Sequence, residues 1–488
     1  MPAIITNKFR VHNSQKFYNS FSGGSPNVYY LGIGKSLPFS TYTRGDGRTT
    51  NEGTDTSPVL PSDSMIEEFY SWDSLLAVKN ISSSNISYVI PRINWSSGTI
   101  YDYYRPDYGN YASGTTTAII ASSGATNLFD SNFYVMNSAF NVYKCLDNNG
   151  NSFSTVQPTG TSTSILTTAD GYKWKYMYTL SAAQQINFLS TDFMAVETNG
   201  TVSSAAVDGA VHIVKIKTSG TGGTNGVYTS IPIRGDGASG TVTVTISSNS
   251  VSTVSVTNVG SGYTYGYIRL DDINTAGGGS LTGSEFDVMI EPKGGHGFDA
   301  VKELGGFFVM LNVNLQGSEL ANSGDFTTNN DFRRVVIIKD PTSNSSPASA
   351  TTLRATYAVR FAASPTPGTF QIDEQIIQSS TNATGVVVDW DSTNRILYYS
   401  QTRFSGKGID ASANKVAFSG TNIISGLSSG ATGTPGTTTG TVNNVSLTSG
   451  YSAPEIDPKS GDVIYIENRS PISRAADQTE NIKLIVEF

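Results

Sequence analysis

Cysteine occurs once in the 488 residues, at Cys145. An intrachain disulfide is therefore impossible and a multi-thiolate metal site is excluded. Charge is scarce: charged residues make up 14% of the chain, against about 25% in typical globular proteins. The 31 Lys and Arg form no stripe, and the net charge is −8. The counterion release that drives nucleic-acid binding has no source here, so no nucleic-acid partner is expected. Long apolar runs are missing too. Those at 335–338 and 386–388 fall far short of the roughly 20 residues that cross a bilayer, and no membrane partner is expected. The opening MPAIITNKFR has no signal-type apolar core.

What the chain does contain is turn-formers and aromatics. There are 49 Gly, with Ser, Thr and Asn filling much of the rest, and 25 Tyr and 22 Phe. That many aromatics argues against disorder. The mixture suits short strands joined by many turns, and the length suits about two to four domains. The expected fold class is mainly β, in an α+β sense. It consists of layered antiparallel sheets with a few short helices, plus two inserted small β-domains.

Three helices are expected. One covers 13–21. A second covers 62–79, where Ser64 and Glu67 have capping-box spacing. A third covers 181–189. Strands are expected within 133–146 and over 173–180, where KWKYMYTL alternates and puts Trp174, Tyr176 and Tyr178 on one side. The texture changes near residue 208, where short strands such as TVTVTI alternate with Gly-rich turns. The expected organisation is a core in three segments, 1–207, 295–345 and 451–488. It carries a β-module at 208–294 and a β-rich module with a Gly/Ser/Thr linker at 346–450. The last stretch, from 461, is expected to hold two strands around a polar bend.

Several motifs suggest chemistry and fail on spacing. Gly32-Ile33-Gly34-Lys35-Ser36 resembles the end of a phosphate loop. Tyr29 stands where its first Gly belongs, though, and Leu37-Pro38 follows instead of a helix. A strand-end turn is the better reading. Arg44-Gly45-Asp46 and Arg234-Gly235-Asp236 sit in turns that favour Gly and Asp for backbone reasons. The loop opened by Asp147 has Ser152 and Pro158 where a calcium loop needs Gly and an acid. His12, His212 and His296 show no metal-ligand spacing. No catalytic, cofactor or metal residue is expected, and no cofactor. The tyrosine-dense stretch 101–111, YDYYRPDYGNY, fits either an interface or a loop packed on its own domain.

The final segment, SGDVIYIENRSPISRAADQTENIKLIVEF over 460–488, resembles the C-terminus of the gene-eight baseplate wedge subunits of T4-type contractile-tailed phages. Asn7-Lys8-Phe9-Arg10, Val89-Ile90-Pro91-Arg92 with Trp95, Val142 to Leu146, Asp170 to Tyr176, and Asp331-Phe332-Arg333 are similar to further family segments in the same order. The resemblance implies a virion structural protein of the tail baseplate, assembled in the bacterial cytoplasm, that is not an enzyme. It implies a homodimer and contacts with other wedge proteins, including the long wedge protein and the one carrying the short tail fibres. It offers no counterpart for 208–294 and 346–450.

Two clusters are expected to be structural or to lie at an interface. Tyr172, Trp174, Tyr176 and Tyr178 form an aromatic stripe that is buried in a sheet or meets a partner. Glu467, Asn468 and Arg469, with Asp477, Gln478 and Glu480, are read as fixing a bend between strands, ahead of direct partner contact. Two other functions are consistent with the residues. One is an adhesin or glycan-binding tail component using the inserted modules. The other is a polysaccharide-degrading enzyme, for which Asp389 and Asp391 would be the carboxylate pair.

Overall fold

The computed structural model describes residues 6–22, 27–39, 53–111, 116–316, 327–328, 330–403, 407–475 and 478–488. Arg44-Gly45-Asp46 and Asp477 lie outside the described residues. The fold is mainly β, built of antiparallel sheets with a few short helices. The helix expected at 13–21 is Asn7–Asn19, and that expected at 62–79 is Met65–Asp73. The Ser64 hydroxyl caps the latter, accepting from the Glu67 amide at 3.3 Å. It stops early because the apolar run Leu75–Ile81 is taken as a strand. The third helix is Ala182–Phe188, closed at its start by a Ser181–Gln184 capping box.

The chain forms two compact units, interleaved in sequence. One comprises Met1–Lys16, Ser87–Met310 and Ile485–Phe488; the other comprises Phe17–Ile86 and Leu311–Leu484.

In the first unit, a four-stranded sheet runs in the order Tyr134–Met136, Asn141–Asp147, Lys173–Thr179, Leu166–Thr167. Both faces of its central strands are covered, as their unbroken burial shows. One face packs with Tyr101, Tyr172 and Trp174; the other packs with Met177, Tyr178 and Leu304. Within 101–111, Tyr101, Tyr104 and Tyr108 are buried against their own unit, and of the tyrosines only Tyr111 is strongly exposed.

The same unit holds a separate core wholly within residues 211–290. A long ribbon pairs Ile213–Gly223 with Gly279–Met289. Beyond it, Gly226–Pro232, Thr241–Ser247 and Ser250–Asn258 form a three-stranded sheet. Their alternation places Val242, Val244 and Ile246 inward. The Tyr263 ring fills this core. Its hydroxyl donates to the Ile233 carbonyl at 2.9 Å and accepts from the Gly240 amide at 3.1 Å. Gly209 turns the chain into this region at φ +62°, where a Cβ would sit 2.3 Å from the Tyr263 nitrogen.

In the second unit, a five-stranded antiparallel sheet runs Thr352–Arg354, Leu75–Ile81, Tyr29–Gly34, Asp331–Lys339, Asp462–Ser473. A seven-stranded sheet is assembled from strands between Tyr357 and Ser452. It has its own core of Phe361, Phe370, Val387, Leu397 and Tyr399.

Tyr263→Phe removes one hydroxyl and strands two buried backbone groups. It should cost about 1–3 kcal/mol. Hydrogen exchange should show the loss concentrated in amides of 226–258, with the Asn141–Asp147 strand unaffected.

Candidate functional site

Ionic side chains drawn from distant parts of the chain meet inside each unit, and none of these meetings is visible as a local motif. In the first unit the centre is Lys144, midway along the Asn141–Asp147 strand and fully buried. Its ammonium donates to Glu303 Oε2 at 2.8 Å and lies 2.9 Å from His296 Nδ1. The Tyr104 ring covers it at 4.1 Å. The other Glu303 oxygen accepts from the Gly297 and Asp299 amides at 2.8 and 3.2 Å. Gly297 can do this because it sits at φ +91°. Glu291 completes the set, accepting from the His296 amide at 2.9 Å and bonding His212 Nδ1.

A buried ammonium is tolerable only with such compensation. Burial pushes the Glu303 carboxyl up, but Lys144 and His296 more than offset this and hold it at about 2. Burial, reinforced by the Lys144 charge, pulls His296 below its ordinary value. The His296 ring lies between the two carboxylates, 3.9 Å from Glu291 and 3.8 Å from Glu303, and among the described residues no three His, Cys, Asp or Glu are arranged to hold a metal.

This network stands at the root of the 213–289 ribbon, since His212 precedes one strand and Glu291 follows the other. Two further pairs grip the same root. Lys215 donates to Asp147 at 2.8 Å and lies 3.7 Å from the Tyr103 ring centroid. Arg105 bridges Asp107 at 2.7 Å and Asp287 at 3.0 Å.

The second unit is pinned in a similar way. Asp73 ends the Met65–Asp73 helix with its side chain fully buried, and meets Lys415 at 3.0 Å and Arg403 at 3.4 Å. Arg334 donates to Glu67 at 2.8 Å, Asn468 at 2.8 Å and Ser71 at 3.2 Å. Arg333 reaches Asp55 through two bonds of 3.0 and 3.1 Å, and Asp331 at 3.0 Å.

The residues singled out from sequence are distributed as follows. Tyr172, Trp174, Tyr176 and Tyr178 are all buried, but they are not one stripe. The pairing of Val142 with Tyr178 and of Tyr143 with Tyr176 leaves Met177 as an extra residue. This β-bulge breaks the two-residue alternation. Tyr172, Trp174 and Tyr176 therefore pack in one core and Tyr178 in another, where its hydroxyl donates to the Ala195 carbonyl at 2.8 Å.

Glu467, Asn468 and Arg469 are not between strands; they lie inside Asp462–Ser473. Phe332 pairs with Ile472 and Arg334 with Asn468, which leaves Arg469, Ser470 and Pro471 opposite Arg333 alone. Pro471 has no N–H to give the ladder, and the strand bulges there. Asn468 is tied on both sides, accepting from Arg334 and donating to the Val59 carbonyl at 2.9 Å. Glu467 accepts from the Tyr465 hydroxyl at 2.9 Å. Gln478, just before the Thr479–Glu487 strand, donates its amide to the Ala475 carbonyl at 3.2 Å. Glu480 is buried against Arg474 at 3.3 Å.

The rejected motifs have structural duties. Asp236 accepts from the Thr264 hydroxyl and amide and the Tyr265 amide, which hold its carboxyl down at about 2, while Arg234 pairs with Asp272. That Arg-Gly-Asp is tied down at both charges. Lys35 follows the Tyr29–Gly34 strand at φ 60° and is buried, its ammonium 3.2 Å from the Tyr70 hydroxyl. Asp391 accepts from the Asn394 amide and side chain and from Asn443, so it serves a turn.

A family model described as bacteriophage T4 Gp8 matches residues 3–150 and 423–488. That match covers less than half of the 488 residues, and over it the chain is similar to the phage T4 Gp8 family. Baseplate wedge protein gp8 of Enterobacteria phage T4 is 23% identical over 221 residues, 40% of this chain. The chain spans 60% of the length of that relative. The family match stops at 150 and resumes at 423, inside the stretch read from sequence as an insertion. Set against those limits, several of the contacts join matched to unmatched sequence. Lys144, Asp147, Arg105, Asp73, Glu67, Asp55 and Asn468 lie within the matched sequence. Their partners Glu303, Lys215, Asp287, Lys415, Arg334 and Arg333 lie outside it.

Glu303→Gln should cost about 3–5 kcal/mol, because it leaves Lys144 buried without its counterion. In the parent chain, both Glu303 and His296 have folded pKa values below their ordinary 4.5 and 6.5. Their contribution is therefore complete above pH 6.5. It falls as His296 and then Glu303 take up protons, down to about pH 2. Melting temperature against pH should decline across that window, and the decline below pH 4.5 should be shallower in E303Q. Separately, Asp73→Ala should open the 401–418 segment to hydrogen exchange before the five-stranded sheet.

Proposed function

We propose that this chain is a structural subunit of a phage tail baseplate wedge, residing in the virion and assembled in the host cytoplasm. It holds neighbouring wedge proteins in place during assembly and during the rearrangement on host attachment. The observation that carries this reading is that the sequence similar to the baseplate wedge family supplies one side of the Lys144–Glu303, Asp73–Lys415 and Glu67–Arg334 clamps. The remaining sequence is keyed to it in a fixed register. A part that must transmit displacement needs such internal rigidity, since close-packed interiors pass strain on instead of absorbing it.

The proposed partners are a second copy of the chain and other wedge proteins, including the long wedge protein and the carrier of the short tail fibres. Residues 208–294 and 346–450 are read as modules added to the wedge core, with roots fixed by Glu291–His296–Lys144 and Asp73–Lys415. The Asp462–Ser473 strand is proposed as a mating edge. It ends its sheet, its outer flank carries exposed Ile464 and Tyr465, and Arg469 has no ion pair among the described residues.

Sedimentation of the purified chain, alone and mixed with its wedge neighbours, tests the proposal. A dimer that forms larger complexes with them is expected; a strict monomer that ignores them refutes it. Asn468→Ala should lower the melting temperature by several degrees, because Arg334 loses a buried acceptor. Arg469→Ala should leave melting unchanged and weaken co-sedimentation. Equal loss of melting temperature in both variants would remove the mating-edge assignment.

A further inference from the structure

The seven-stranded sheet carries an open pocket of about 350 Å³ lined by Ser364, Pro365, Gly368, Thr369, Trp390 and Ser392. That volume lies at the lower end of the roughly 300–1,000 Å³ range of small-molecule sites. Trp390 is half-buried, and its indole is braced from within by Phe361 and Phe370, with ring centroids 5.8 and 6.0 Å away. Phe361 and Phe370 are themselves stacked at 5.4 Å. The platform is therefore rigid.

The rim is fixed as well. The 362–369 loop is tied to Thr432 by reciprocal 3.0 Å backbone bonds through Thr366, and Ala362 donates to the Thr434 carbonyl at 3.0 Å. Ser392 is held by the turn that Asp391 closes on Asn394. In contrast, the Ser364, Thr369 and Ser392 hydroxyls and the Trp390 indole N–H have no partner among the described residues. All three hydroxyl residues are exposed.

We propose that this pocket binds the ring of a neutral hexopyranose, as a terminal or penultimate sugar of a surface glycan. An aromatic face takes the apolar C–H side of a pyranose. Hydroxyls and an N–H that can donate or accept suit the sugar's own hydroxyls, which do both. The lining holds no charged residue. Asp389 and Asp391 flank Trp390 along the strand and alternate to the other face. Within this lining an anionic sugar would meet no counter-charge, and the site binds without cleaving. This role goes beyond the structural one and does not depend on it.

Saturation-transfer NMR on the full chain, with methyl glycosides of glucose, galactose, mannose and N-acetylglucosamine at millimolar concentration, tests the assignment. Transfer to the ring protons of at least one is expected, with none to glucuronate. The S364A/T369A/S392A triple variant, changed only at exposed positions, should weaken binding at least tenfold. W390F, which keeps the bracing contacts, should also weaken it. No transfer from any neutral glycoside would overturn the proposal. So would transfer that both variants leave unchanged, or a stronger response to glucuronate. The triple variant keeps the test decisive should W390F fail to fold.

Discussion

A fully buried ammonium is the constraint on which the first unit rests. Lys144 is wholly buried, and removing an ion from water costs several kcal/mol unless specific partners replace the solvent. Glu303 and His296 are those partners, and they come from a segment about 150 residues away. Glu291 joins them through His296 and brings in His212, so the network closes only when both ends of the 213–289 ribbon are in place. A misdocked ribbon would leave a charge buried and unmatched. The cost of that error, more than the worth of any single contact, fixes where the ribbon stands.

The second unit reaches the same end with different residues. Asp73 and Arg334 are buried charges of opposite sign, each met by partners from elsewhere in the chain. With 14% of residues charged, the chain has few ions to distribute. A notable share lies inside, between segments that the family match covers and segments that it does not. Surface ion pairs such as Arg269–Asp271 are worth little beside these.

Fold class was legible because it rests on composition and on period-two alternation, which local sequence carries directly. Two helix starts were legible for a similar reason: Ser64 and Ser181 cap them through bonds spanning three residues. The stripe at Tyr172 to Tyr178 and the bend at Glu467 to Arg469 were misread through β-bulges, which change parity without any strong local mark apart from Pro471. The ionic clamps were invisible for a deeper reason. Lys144 is a lone lysine in a short strand, and the spacing to its partners is set by topology. A lysine and a glutamine-free run of apolar neighbours, VYKCL, is the only hint that its position is covered on both faces.

Ion pairs at the root of the 213–289 ribbon also answer a question that apolar packing would leave open. A strand ribbon docked through aliphatic side chains alone can slide by two residues and still bury a similar face, because the side-chain period is two. Charges do not permit this. Moving Lys215 by two residues would separate it from Asp147, and moving Asp287 would separate it from Arg105. Each pair is partly exposed, so each adds little to stability by itself; what they exclude is the neighbouring register. Together with the buried Lys144 centre, they turn a root that packing would hold approximately into one held at a single position. The wedge role proposed above depends on that distinction, because a ribbon that slips under load passes on less of the displacement than it receives.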